Sequence, residues 1–206
     1  MKKRILSILL LCCMVLTMLP TTVLAADGPM DTIPKYDVSI DVYNRTSDIS
    51  IKDSRSYYIY SSVPDKLRDT WAWDKKIFIK GDKTAPHVFI DGVNIEMSPS
   101  SKGPAIELNK KASAYIYFIG KNSSLQGADG RAAIQKNRSE GQLYVLARTG
   151  TTVTCKGGDK AAGIGGSYAT RNISNGYYNG DMYGHGVNMH FGSRSNPCLL
   201  YTSPSP

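Results

Sequence analysis

His87-Val88-Phe89-Ile90-Asp91-Gly92-Val93-Asn94-Ile95 is followed, after a polar turn, by Pro104-Ala105-Ile106-Glu107-Leu108, and this order of phrases returns twice more along the chain. The second pass runs Tyr115-Ile116-Tyr117-Phe118-Ile119-Gly120, a turn, Leu125, a glycine loop and Ala132-Ala133-Ile134. The third runs Leu143-Tyr144-Val145-Leu146, Thr151-Thr152-Val153-Thr154, another glycine loop and Ala162-Gly163-Ile164-Gly165-Gly166. Ile106, Ile134 and Ile164 lie 28 and 30 residues apart, and Ile95, Leu125 and Val153 lie 30 and 28 apart. Two landmarks thus keep one period near 29 residues, the signature of a repeat architecture. Each pass is a set of short runs rich in Val, Ile, Thr and Tyr, bounded by Gly, Asn, Asp and Ser, as strands are.

Three short strands per pass at a constant period predict an all-β chain folded as a parallel β-helix, each pass forming one turn whose strands pair with their equivalents above and below. A β-sandwich also has many short strands but does not require a constant period. Upstream, Val38-Ser39-Ile40-Asp41-Val42, Asp48-Ile49-Ser50-Ile51 and Tyr57-Tyr58-Ile59-Tyr60 alternate with period two, and Ile77-Phe78-Ile79 adds a strand before Gly81. Parallel strands are therefore expected from about Val38 to Thr154. Ile95, Leu125 and Val153 should form one inward column and Ile106, Ile134 and Ile164 another, because a single turn has no core of its own. Ala105, Ala132, Ala133, Ala162 and Gly163 are expected at corners too tight for larger side chains.

The N-terminus bounds the folded part. Lys2, Lys3 and Arg4 precede an uncharged stretch from Ile5 to Leu19, then Pro20 and small residues around Ala25, the pattern of a cleavable secretory signal over residues 1–25. That stretch is shorter than the roughly 20 residues a membrane span needs. Residues 26–35 read as a linker, 36–192 as the repeat domain, interrupted at its C-terminal end, and 193–206 as a Ser/Pro-rich disordered or non-native tail. Three of the 25 Lys and Arg leave with the signal and none of the 17 Asp and Glu, so the charge falls from +8 to +5. The basic residues read as scattered singly or in pairs such as Lys75-Lys76 and Lys110-Lys111, unlike the clustered stripe of a nucleic-acid binder. Only Cys155 and Cys198 remain outside the signal, too few for a disulfide framework.

The phrases from His87 to Ile95, Gly103-Pro104-Ala105-Ile106-Glu107-Leu108, Gly120-Lys121-Asn122-Ser123-Ser124-Leu125 and Ala161-Ala162-Gly163-Ile164-Gly165-Gly166 resemble a family of bacterial carbohydrate-binding β-helix domains. The resemblance covers roughly residues 36 to 166. It implies a right-handed, pectate-lyase-like helix in a secreted or wall-attached protein of a Gram-positive bacterium, polysaccharide as partner, and calcium in some members. Such proteins usually continue through more turns, and Gly186-Val187-Asn188-Met189-His190-Phe191-Gly192 begins another strand.

Little in the chain points to catalysis. Gly184-His185-Gly186 echoes a motif of β-helix polygalacturonases, but the convergent aspartates that such hydrolysis needs are not assignable. Asp91, Asp129 and Asp159 recur near what read as equivalent turns and are the candidate calcium ligands, or plain turn formers. Flat rings stack on sugars, so Trp71 and Trp73, flanked by Asp69 and Asp74, are the candidate sugar platform, with Tyr57, Tyr58 and Tyr60 a second aromatic group. The same tryptophans could instead cap the N-terminal end of the core. Three functions stay open: a noncatalytic polysaccharide binder at the cell surface, a polysaccharide lyase or hydrolase, and the structural stalk of an adhesin.

Overall fold

The computed structural model describes residues 34–166 except 82, 102, 110, 137–139 and 149, and the backbone of three later strands. The chain is a right-handed parallel β-helix of about four turns. The proposed signal, most of the linker and the tail lie outside the described residues, as does His185. No helix among the described residues is long and apolar enough to cross a membrane.

Three sheets form the walls. Sheet A stacks β1 (Val38–Asp41), β3 (Ser56–Tyr60), β5 (His87–Asp91), β8 (Ala114–Ile119), β11 (Leu143–Ala147) and β16 (Met189–Gly192). Sheet B stacks β2 (Ile49–Ile51), β4 (Ile77–Lys80), β7 (Ile106–Asn109), β10 (Ile134–Lys136) and β13 (Ile164–Gly165). Sheet C stacks β6 (Asn94–Glu96), β9 (Ser123–Gln126) and β12 (Val153–Lys156), with Trp73 bridged to Ile95 beneath them. Each full turn visits A, then C, then B.

Alternation along each strand sends every second side chain inward, and identical register stacks those side chains into columns. In sheet B the inward column is Ile49, Ile77, Ile106, Ile134 and Ile164, all buried. Full burial of one such side chain stabilises the fold by about 1.5–3 kcal/mol. Sheet A contributes Tyr57, Val88, Ile116 and Val145 in one column and Ile59, Ile90, Phe118 and Ala147 in the next. The corners are as tight as expected at Ala105, Ala133 and Gly163, whose carbonyls accept the amides of Ile77, Ile106 and Ile134. Ala162 is instead exposed.

The isoleucine trio takes the expected register, and the other trio does not. Leu125 pairs with Ile95 on one side and with Cys155 on the other, while Val153 pairs with Ser123. Val153 and Cys155 both face inward by alternation, and the connection from sheet A lengthens from 120–122 to 148–152, which moves the register by one alternation. Burial pushes the Cys155 thiol up to about 12, so it packs as a small apolar group. After β13 the period breaks: an antiparallel hairpin of β14 (Tyr168–Arg171) and β15 (Gly180–Tyr183) intervenes before β16 returns to pair with β11.

Candidate functional site

The first full turn distributes its residues unlike the others. In later turns the connection from A to C is short, 92–93, 120–122 or 148–152, and the one from C to B is longer, 97–105, 127–133 or 157–163. Between β3 and Trp73, however, the chain takes a long excursion over 61–72, and then reaches β4 through 74–76 alone. The excursion turns on a single 3-10 turn at Asp65–Leu67, with Pro64 before it setting an extended entry at φ −55°, ψ 140°. It arches over the outer face of sheet C and forms one wall of an open groove of about 630 Å³.

The floor of the groove is the outward face of sheet C. Asn94, Ser124 and Thr154 stand in one outward column over three turns, beside Asn122 and Thr152 of the preceding corners. Neighbouring strands are about 4.7–4.9 Å apart, so the floor repeats its hydroxyl and amide groups at that interval. The asparagines also hold the stack: Asn94 Oδ1 accepts from the Ser124 amide at 3.1 Å and Asn122 Oδ1 from the Thr152 amide at 2.9 Å. Ser123, buried beneath them, accepts from the Val93 amide.

The wall carries Asp65, Arg68 and Asp69. Arg68 ties the excursion down, donating from Nη1 to the Gly92 carbonyl at 3.1 Å and from Nη2 to the Val63 carbonyl at 3.4 Å. The Asn94 amide donates to the Arg68 carbonyl at 2.9 Å from the floor. Lys121 Nζ bridges to Asp65 Oδ1 at 3.1 Å, joining the wall to a turn 56 residues further along. The hydrogen bond from Lys121 holds the Asp65 carboxyl below the usual range, so it stays ionised. Both cations of the groove are thus answered within it. Asp69 has no ion-pair partner among the described residues.

Of the residues expected to bind sugar, only Asp69 lines this groove. Trp73 is 2% exposed, donates from Nε1 to the Arg45 carbonyl at 2.8 Å, and forms the bottom of the inward column of sheet C. Trp71 is partly buried against the same core and meets Tyr43 edge-on at 5.4 Å. Loop 42–48 and the two tryptophans therefore close the N-terminal end of the core. The paired-indole platform is corrected, because burial of Trp73 leaves no ring face for a sugar. Tyr57 likewise points inward, 5% exposed, with its hydroxyl bonded to Asp53. Asp74 is exposed and ion-paired with Lys75 at 2.7 Å, outside the groove.

The three aspartates do not converge. Asp129 and Asp159 occupy equivalent C-to-B corners, where Asp129 Oδ1 accepts from the Asp159 amide at 3.4 Å. Asp91 ends a strand of sheet A, opposite Tyr60 and Ile119, where it accepts from the Lys121 amide at 2.8 Å and the Tyr58 hydroxyl at 2.8 Å. The expectation of equivalent turns is therefore corrected: Asp91 follows a different sheet. Among the described residues no group of three or more His, Cys, Asp or Glu is placed to hold a metal ion.

Aromatic residues gather on the outer face of sheet A, and among those described there the sequence singled out only Tyr58 and Tyr60, beside the inward Tyr57. His87, Tyr115 and Tyr144 stack in one column with centroids 4.7 and 4.6 Å apart, and Phe89 stacks on Tyr117 at 5.0 Å in the next. Tyr36, Tyr58 and Tyr60 continue the layer at 5.1 Å spacings. Ring faces here cover one another, and the hydroxyls of Tyr58, Tyr117 and Tyr144 bond to Asp91, His87 and Gln142. The signal was the repeat itself: Ser56, His87, Tyr115 and Tyr144 are register mates. No known protein family, no curated protein and no solved structure matches the chain.

Proposed function

We propose that the chain is a secreted, noncatalytic polysaccharide binder of a bacterial cell surface, and that the glycan lies in the groove between residues 61–72 and sheet C. The observation that carries this reading is the floor of Asn94, Ser124 and Thr154, which stacks polar side chains on three successive turns under a wall bearing Asp69, a carboxylate with no ion-pair partner among the described residues. A polymer of sugars presents hydroxyls at regular intervals and can use such a row, with Asp69 accepting from one of them and fixing orientation. The N-terminal export pattern and the family resemblance favour the same reading.

A binding role fits the electrostatics better than glycoside hydrolysis. A hydrolase needs one carboxyl whose raised pKa keeps it protonated as general acid beside a second that stays ionised. In the groove Asp65 is shifted the other way by Lys121. A spacer in a stalk, for its part, has no use for the long excursion that builds the wall.

The test is binding of the purified chain to a panel of soluble and insoluble glycans, with product release followed in parallel. Retention of at least one glycan, weakened about tenfold or more by Asp69→Ala together with Ser124→Ala, is expected, a loss of roughly 1.4 kcal/mol or more. Release of reducing ends or unsaturated products would overturn the noncatalytic reading. Retention unchanged by both substitutions would remove the groove as the site.

A further inference from the structure

On the outer face of sheet A, the strand register sets one tyrosine directly above another. Tyr115 of β8 and Tyr144 of β11 are partners in parallel strands. Their ring centroids lie 4.6 Å apart, with the ring planes 6° from parallel. That separation is close to the strand spacing of about 4.7–4.9 Å, so each ring carbon of Tyr144 stands about one strand spacing from its counterpart in Tyr115. The carbons ortho to the two hydroxyls therefore face each other. His87, the partner of Tyr115 on the preceding turn, stacks on that ring at 4.7 Å and 6°, which fixes it from the other side. The Tyr144 hydroxyl donates to Gln142 Oε1. Both tyrosines are partly exposed, so a reagent in solution reaches them.

A phenol that loses one electron also gives up its hydroxyl proton, and the resulting phenoxyl radical shares its unpaired electron with the ortho ring carbons. Two such radicals on facing rings join through a carbon–carbon bond between ortho carbons. Each ortho hydrogen then passes to its phenol oxygen and the rings become aromatic again. With hydrogen peroxide as oxidant and a haem peroxidase carrying the electrons, two tyrosines and one peroxide give one dityrosine and two waters. Coupling of this kind is limited by the meeting of two short-lived radicals, and a fixed face-to-face pair makes that meeting intramolecular. The other stacked tyrosines are less well set: Tyr36 and Tyr58 lie 5.1 Å apart at 24°, and Tyr58 and Tyr60 lie 5.1 Å apart at 15° within a single strand. Tyr58, common to both pairs, is also buried.

We infer that Tyr115 and Tyr144 are an oxidative coupling site, at which a peroxidase forms a dityrosine that staples two successive turns of the solenoid. The new bond closes the chain from 115 to 144 into a loop and so removes entropy from the unfolded state, as a disulfide does in the chain-entropy account. The site lies on sheet A, away from the groove on sheet C, and does not depend on the polysaccharide reading.

The test treats the purified chain, at low protein concentration, with hydrogen peroxide and a haem peroxidase, and follows the monomer by mass spectrometry, dityrosine fluorescence and thermal melting. The expected product is a monomer lighter by two hydrogens that melts higher than the untreated chain. Proteolysis of it should release a cross-linked peptide joining Tyr115 to Tyr144. Tyr115→Phe keeps the ring stack and removes one coupling partner, so before treatment it should melt like the parent, and after treatment it should lack that peptide and most of the monomer's dityrosine fluorescence. The same treatment in denaturant should also lose the link, because the folded register supplies it. Dityrosine found only in dimers, or monomer dityrosine unchanged by Tyr115→Phe or by denaturant, would overturn the site. A cross-linked monomer that melts no higher than the untreated chain would overturn the staple.

Discussion

The first full turn, Ser56 to Lys80, and the next, His87 to Asn109, have nearly the same length and opposite layouts. The second turn crosses from sheet A to sheet C at Gly92-Val93 and spends its spare residues on the way to sheet B. In the first, the spare residues lie over 61–72 between sheets A and C, leaving a single residue, Trp73, to represent sheet C. A repeat period therefore fixes the size of a turn but not the corner at which its long connection emerges. That choice has two consequences. A bulky indole must fill the inward column where a whole strand is missing, and the displaced connection becomes the wall of the groove.

The largest effect that tests this contrast is at Trp73. Trp73→Ala removes a buried ring and its hydrogen bond to Arg45 from the one-residue strand, and should lower stability by about 3–5 kcal/mol in a chemical melt. Ile106→Ala, in the middle of the isoleucine column of the second turn, should cost about 2–5 kcal/mol. Trp73→Ala losing less than Ile106→Ala would mean that loop 42–48, not the indole, closes the first turn.

Between the two turns, Tyr58 of the first donates to Asp91 of the second at 2.8 Å. Burial, then that bond, raise the Tyr58 hydroxyl above its ordinary value, so its contribution is present below about pH 10 and is lost as pH climbs past the raised value. Tyr58→Phe should cost on the order of 1 kcal/mol at neutral pH and flatten the alkaline fall in melting temperature. An unchanged alkaline profile would show that Tyr58 does not couple the turns.

The smallest effect belongs to the surface bridge that ties the wall to the third turn. Lys121→Gln breaks the contact with the fully exposed Asp65 and should leave the melting temperature nearly unchanged, as exposed ion pairs generally do. A large loss of stability would mean that the wall is part of the core's support and not a displaced connection.

These contrasts also explain which features were legible in the sequence. The inward columns follow from alternation and period, so Ile106, Ile134 and Ile164 could be aligned from the chain alone. Val153 could not be placed correctly, because an extra pair of corner residues is invisible when two alternate positions, Val153 and Cys155, are both able to face inward. Trp71 and Trp73 share one face, as alternation requires, but alternation does not say whether that face is inside. Asp69 reached the groove without its tryptophans for the same reason.

The central claim is that the displaced connection makes the binding site. Replacing residues 62–69 with the brief corner of the later turns, while keeping Trp71 and Trp73, separates wall from core in one chain. Glycan retention and melting temperature should then be measured together. The account predicts that the shortened chain keeps a cooperative melt within a few degrees of the parent and loses retention of every glycan the parent binds. Retention equal to the parent's, in a chain that still melts cooperatively, would contradict it.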